Sequence, residues 1–233
     1  MTDQFDQYAA SYSRIIAEGA RASGETYEYM VDLRATLFSR ETGEHLAQRD
    51  EPALLDFGCG SGYTVEVLQQ RFPRAWLKGY DSSKDSIDQA RQRNIPRAAF
   101  EHGSDCALPF GEDMFDAVYS NGTFHHIPGS ERSQWIRELY RVLKRRGGLV
   151  IFENNPLNPL MMQAMRRTPF DVDAEPVSAR RLVSLLRQEG FRTQGGQYYF
   201  FFPRALRWFR RFEPLLKRVP FGAQYYVKAF KPE

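Results

Sequence analysis

Leu54-Leu55-Asp56-Phe57-Gly58-Cys59-Gly60-Ser61-Gly62 decides how the rest of this chain is read. An apolar run ends in an acid, a loop with glycine at every second position follows, and Tyr63 to Arg71 has the pattern of a helix. That order predicts a strand, a tight turn and a helix N-terminus, the arrangement by which an open α/β sheet holds a nucleotide-like ligand at the carboxyl ends of its strands. Glycine serves here because a Cβ would keep the backbone off the ligand and bar positive φ. A dinucleotide fingerprint wants its third glycine at position 63, where this chain has Tyr63, so the spacing speaks against a nicotinamide enzyme.

Working outward, 233 residues suit one α/β domain over 1–233, large enough to bury a substantial core. Met1 to Arg14 is polar and acidic, without the basic-then-apolar order of a signal peptide, and no run approaches 18 apolar residues. Two cysteines, Cys59 and Cys106, lack the paired spacing of a structural metal site, so no metal and no disulfide framework is expected. These features predict a cytoplasmic protein. The net charge of +3 hides an asymmetry: residues 1–136 hold 13 basic and 21 acidic residues, residues 137–233 hold 19 and 8, so the halves carry −8 and +11.

Phe5, Tyr8 and Tyr12, then Tyr27, Tyr29, Met30, Leu33 and Leu37, recur at helical intervals, predicting a helical cap over 1–45 before the sheet. Leu54 to Phe57 is the first strand and Ala75 to Tyr80 the second. Asp81 follows it, 23 residues after Gly58, where a carboxylate can accept from both hydroxyls of a ribose. Its alternative role is to cap the next helix beside Ser82, Ser83 and Asp85. Further strands are expected over Arg97–His102, Phe115–Tyr119, Leu149–Phe152, Tyr198–Phe202 and Gln224–Phe230. Helices are expected over Ser83–Arg93, Glu131–Arg146 and Ser178–Glu189.

Glycine at 58, 60 and 62 after the acid at 56 resembles motif I of the class I S-adenosylmethionine (SAM) dependent methyltransferases. The stretch ELYRVLKRRGGLVIFE (138–153) closely resembles the corresponding family segment. The resemblance implies a Rossmann-like, doubly wound seven-stranded sheet of order 3-2-1-4-5-7-6 with strand 7 antiparallel, a cofactor-binding core over 50–153, and SAM as cofactor. It places Asp56, Gly58, Cys59, Gly60, Gly62, Asp81, Ser82, Ser104, Asp105, Cys106 and Asn121 around that cofactor, with Asp105 and Cys106 at the adenine. His125 and His126 fall on the methyl side, where histidine can take a proton from a hydroxyl acceptor. His126 is the first candidate base, with His125 and Glu153 beside it. Each could instead serve only to bond nearby backbone. Arg34 is a further candidate for a cofactor or acceptor carboxylate.

Two insertions depart from the minimal family pattern. Residues 154–177 follow the fifth strand with a methionine-rich stretch, an adaptable apolar wall. Residues 203–221 interleave Arg204, Arg207, Arg210, Arg211, Lys217 and Arg218 with Leu206, Trp208, Phe209, Phe212, Leu215 and Leu216. That pattern suits a membrane-surface element or a lid over a lipid-like acceptor, and equally a cover helix with a solvated arginine face. The expected reaction is methyl transfer to an oxygen of a small or lipid-linked metabolite, a glycan or aromatic intermediate. The rivals are an RNA methyltransferase using the basic half and a non-catalytic SAM-binding protein. The Asn-Pro-Pro-aromatic motif of amino-methylating nucleic-acid enzymes is absent after the fourth strand, where Ser120-Asn121-Gly122-Thr123 stands. A nucleic-acid partner is therefore not expected.

Overall fold

The computed structural model describes Asp6, Ile15 and residues 23–233. The part of the helical cap expected around Phe5, Tyr8 and Tyr12 lies outside the described residues. Among those described, seven strands form one sheet: β1 (Ala53–Phe57), β2 (Trp76–Asp81), β3 (Ala98–His102), β4 (Phe115–Asn121), β5 (Leu143–Asn154), β6 (Arg192–Tyr199) and β7 (Gln224–Phe230). Their order is β3-β2-β1-β4-β5-β7-β6. β7 runs antiparallel to both of its neighbours, and the other pairings are parallel.

Alternation along the strands divides two cores. Leu55, Phe57, Val118, Leu149 and Ile151 face one side, where α4 (Arg132–Val142) contributes Trp135, Ile136 and Leu139 and α6 (Ala179–Gln188) contributes Leu182, Leu185 and Leu186. Leu54, Tyr119, Val150 and Phe152 face the other, covered by α1 (Tyr27–Ala47), α2 (Tyr63–Arg71) and α3 (Lys84–Gln92). Each fully buried Leu, Val, Ile or Phe contributes about 1.5–3 kcal/mol. The central strands are apolar on both faces because helices lie on both. Side-chain caps start α1 at Thr26, α3 at Ser83 and α6 at Ser178.

Two expected boundaries are corrected. The helix placed over Glu131–Arg146 ends at Val142, and β5 begins at Leu143 rather than Leu149. Leu143 leaves helical geometry at ψ 136° to pair with Phe115, which brings Lys144 Nζ to Asp116 Oδ2 at 2.8 Å. A buried carboxylate at the start of β4 thus outweighs the helical pattern of 143–146. The strand placed over Tyr198–Phe202 lies earlier, at Arg192–Tyr199. Its polar Thr193-Gln194-Gly195-Gly196 run hides it: an edge strand carries a register shift there, and a Cβ on Gly196 would sit 2.6 Å from Ala179 Cβ. The strand stops at Phe200, whose φ is +60°, and the amides of Phe200, Phe201 and Phe202 donate to the Glu213 carboxylate.

The insertion after β5 contains α5 (Pro159–Arg167) and a 3-10 turn at Pro169–Asp171. The one after β6 holds a 3-10 helix, Arg204–Phe212, and a short α7 (Glu213–Leu216).

Candidate active site

The glycine loop is held from below by β2. The amides of Gly58 and Cys59 both donate to Tyr80 O, at 2.8 and 3.1 Å, and Gly60 N donates to Asp81 Oδ2 at 2.8 Å. Asp81 Oδ1 accepts from Ser83 N at 2.9 Å, so the acid expected at the ribose also closes the loop and enters α3. Burial pushes its pKa up, against the pull of those amide donors. Gly58 has φ +81°, and a Cβ there would fall 2.1 Å from Thr123 Oγ1. Gly60, at φ +50°, has nothing within 4 Å of its missing Cβ, which leaves the loop face open to a ligand.

Asp56 lies beneath this loop, buried, with Oδ2 lacking any partner. Burial and then the charge of Asp81 hold its carboxyl well above the usual range. A dry acid without a donor fits a ligand that brings a cation. The Cys59 thiol turns inward instead, to where a Cβ on Gly79 would lie 2.8 Å from its sulfur.

Of the remaining expected cofactor positions, Ser82 gives its carbonyl to His102 Nε2 at 3.2 Å, and Asn121 ends β4 with its carbonyl near Thr123 Oγ1. Ser104 and Asp105 are exposed, and Cys106 is tied to α4 through Glu131 and Gln134. Asp6 reaches the same edge, accepting from Ser83 Oγ at 2.5 Å and from Asp85 N at 3.2 Å.

The histidine pair sits directly beside the loop, because Thr123 Oγ1 donates to Phe57 O at 3.1 Å. Arg132 holds the turn by donating from Nε to Phe124 O and Ile127 O and from Nη2 to Glu175 O. Glu153, at the tip of β5, spends one oxygen on Phe124 N (2.8 Å) and the other on His125 Nδ1 (2.6 Å). His125 is 4% exposed. Its Nε2 lies 3.5 Å from Asp171 Oδ1, and His126 Nε2 lies 3.4 Å from the same oxygen.

Burial opposes charge on His125, but Glu153 and Asp171 outweigh it and push its pKa up to about 10. His126 moves the other way, down to about 2, through burial and then the neighbouring His125 charge. The pair therefore holds one imidazolium and one neutral ring. The ligand atoms of His125, His126 and Asp171 lie within 4.8 Å of one another and could hold a metal ion, which would replace the proton on the His125 Nε2 that faces Asp171 and leave Nδ1 bonded to Glu153.

Asp171 carries no signal in the sequence. It lies 45 residues from His126, in a turn after Pro169, and only the return of the insertion over the β4 tip brings it here.

The comparisons fit this geometry. The family model described as "Methyltransferase domain" matches residues 54–147, which contain the glycine loop, Asp81 and the histidine pair. Residues 54–147 match a methyltransferase domain, and the fold is that of the SAM-dependent methyltransferases. The trans-aconitate 2-methyltransferase of Variovorax paradoxus is 34% identical over 160 residues, 66% of this chain and 57% of that protein. The demethylmenaquinone methyltransferase of Thermotoga maritima is 32% identical over 123 residues, 53% of this chain and 52% of that protein. The chain thus spans about half the length of the curated relatives it matches. A solved SAM-dependent methyltransferase of Thermotoga maritima matches 99% of this chain and 100% of its own, with a TM-score of 0.69 at 19% identity, a likeness of fold. SAM is the cofactor that the family match and this fold support. The unpartnered Oδ2 of Asp56 suits its ammonium, and the open space at Gly60 leaves room for a ligand against the loop.

Proposed function

We propose that this chain moves the methyl group of SAM to a hydroxyl oxygen of a small or lipid-linked acceptor, a glycan or aromatic intermediate. The observation that carries the reading is the convergence of His126 Nε2 and Asp171 Oδ1, 3.4 Å apart, beside the glycine loop. The cofactor's sulfonium supplies an activated methyl group. The chain's task is then to hold an acceptor in line and manage one proton.

Asp56, Gly60 and Asp81 hold the cofactor, Glu153 fixes the ring of His125, and the His125 imidazolium fixes Asp171. His126 is neutral before reaction, with Nε2 turned to Asp171, so its other ring nitrogen receives the hydrogen bond of the acceptor hydroxyl. The proton that leaves the oxygen passes to that nitrogen as the C–S bond breaks, and the Asp171 carboxylate offsets the charge formed on the ring.

A lipid-linked acceptor is supported by the outer face of the second insertion. Trp208 is 70% and Leu215 81% exposed, interleaved with Arg204, Arg207, Arg211, Lys217 and Arg218. Asn158 Nδ2 donates to Phe221 O at 2.8 Å and ties this segment to the exit of β5, so peripheral membrane contact through 203–221 would present the acceptor side to the lipid. No helix among the described residues is long and apolar enough to cross a membrane.

The chemistry is tested by supplying SAM carrying a carbon-13 methyl and reading the product by NMR. A methyl bonded to oxygen is expected. A methyl on carbon or nitrogen would contradict the assignment of the proton-handling pair.

A further inference from the structure

Asp171 Oδ1 is buried and accepts no hydrogen bond, although two imidazole nitrogens face it. Its side chain is 8% exposed. His125 Nε2 stands 3.5 Å from that oxygen and His126 Nε2 3.4 Å from it, and the three atoms lie within 4.8 Å of one another. Neighbouring ligands on a tetrahedral zinc ion, with bonds of about 2.0–2.1 Å, are about 3.3–3.4 Å apart. Two of the three edges are therefore close to the length that a zinc ion would impose. A buried carboxylate oxygen without a donor calls for a ligand, and here the spacing says which kind.

The donors are held in place by three separate segments. Glu153, at the tip of β5, accepts from Phe124 N at 2.8 Å and holds His125 Nδ1 at 2.6 Å, so Nε2 is the nitrogen left to coordinate. A carboxylate on the far nitrogen is the usual support of a metal-bound imidazole. The two rings, centroids 4.1 Å apart and tilted by 51°, turn both Nε2 atoms to one oxygen. Asp171 comes from the insertion, which is pinned to the histidine turn where Glu175 N donates to His125 O at 2.7 Å and Arg132 Nη2 donates to Glu175 O at 2.6 Å. Two imidazoles and a carboxylate suit zinc and its transition-metal neighbours; magnesium and calcium prefer oxygen alone. The lack of paired cysteines predicts no metal, but this donor set uses neither thiol.

We propose that His125 Nε2, His126 Nε2 and Asp171 Oδ1 bind one zinc-class ion, and that the bound ion stops His126 from taking the acceptor's proton. The site rests on the distances above; the exclusion rests on the reading of His126 as the proton acceptor. As the ion binds, the proton on His125 Nε2 leaves to solvent and a metal–nitrogen bond replaces it. A neutral imidazole carries one proton, so a metal on His126 Nε2 leaves that proton on Nδ1. The nitrogen that would receive the acceptor's proton is then occupied, and the Asp171 charge is spent on the ion. Methyl transfer and metal binding thus compete for the same two side chains.

Untagged, chelator-stripped protein is titrated with zinc and with cobalt(II), without SAM or acceptor, as wild type, Asp171→Asn, His126→Gln and Cys106→Ser. Circular dichroism checks that each variant is folded. The expected result is one zinc ion per chain in the wild type and in Cys106→Ser, about tenfold or more weaker binding in the other two variants, and the visible absorption band of four-coordinate cobalt. Excess magnesium should not displace zinc. Asp171 and His126 lie in different segments, so either variant decides if the other fails to fold. No zinc bound by the wild type, wild-type affinity in the folded Asp171 or His126 variants, or loss of binding in Cys106→Ser would overturn the site. The exclusion is read with methyl-labelled SAM and a dialysed host extract. Transfer that falls as the site fills and returns with chelator supports it; transfer unchanged or raised with the site filled overturns it. Chelator-treated protein that binds zinc as expected yet transfers no methyl group would contradict the proposed reaction and leave the metal site standing.

Discussion

His126 Nε2 and Asp171 Oδ1 stand 3.4 Å apart, one on the turn after β4 and the other in the insertion after β5. The contact joins the region that matches a methyltransferase domain to a segment outside that match, which ends at residue 147. If this pair handles the acceptor proton, His126→Gln and Asp171→Asn should each lower kcat about 100-fold, the ordinary scale of general acid-base assistance. S-adenosylhomocysteine affinity should stay near wild type, because neither residue touches the glycine loop. A loss of cofactor binding equal to the loss of rate would show a structural role instead.

Asp81 is engaged on both oxygens by backbone amides and still offers lone pairs to a ribose. A charge-assisted bond contributes about 1.5–3 kcal/mol. Asp81→Asn should therefore weaken S-adenosylhomocysteine binding by about one to two orders of magnitude, measured by calorimetry. An unchanged dissociation constant would leave Asp81 only its loop-closing role.

The raised carboxyl of Asp56 links cofactor binding to pH. In the free protein burial favours its protonated form; a cationic ligand favours the ionised one. Binding should then release a proton, and affinity should rise with pH until the free protein itself loses that proton. Calorimetry in two buffers of different ionisation heat reads the release directly. Identical heats in the two buffers would contradict it.

His125 makes a prediction about stability. Its pKa is raised from 6.5 to about 10 by Glu153 and Asp171 acting against burial. A group raised in the folded state contributes stability fully below its unfolded pKa, and that contribution fades as pH climbs toward the folded value. The gap in thermal midpoint between wild type and His125→Gln should narrow from pH 6.5 to 10. A gap independent of pH would mean that His125 is held as a neutral ring.

The glycine loop, α2 over Tyr63–Arg71 and β7 over Gln224–Phe230 are legible in the chain because turn glycines and apolar runs are local signals, whereas the strand order came from the resemblance to the methyltransferases. Lys144 was read as helix because its reason for leaving the helix, Asp116, is 28 residues away. β6 was misplaced because an edge strand with two glycines carries little apolar pattern. Asp171 went unassigned for the same physical reason: its partners are supplied by the tertiary fold. The histidine pair was visible, but not its division into a charged inner ring and a neutral outer one, which depends on Glu153 and Asp171 converging on His125.

The most direct measurement of the proposed reaction adds purified protein and methyl-labelled SAM to a host extract, then partitions the label among organic-soluble, small aqueous, nucleic-acid and protein fractions. Label in the organic or small-molecule fraction, lost with Asp81→Ala, is the expected result. Label released by nuclease would contradict it and make the basic half, 137–233, a nucleic-acid surface.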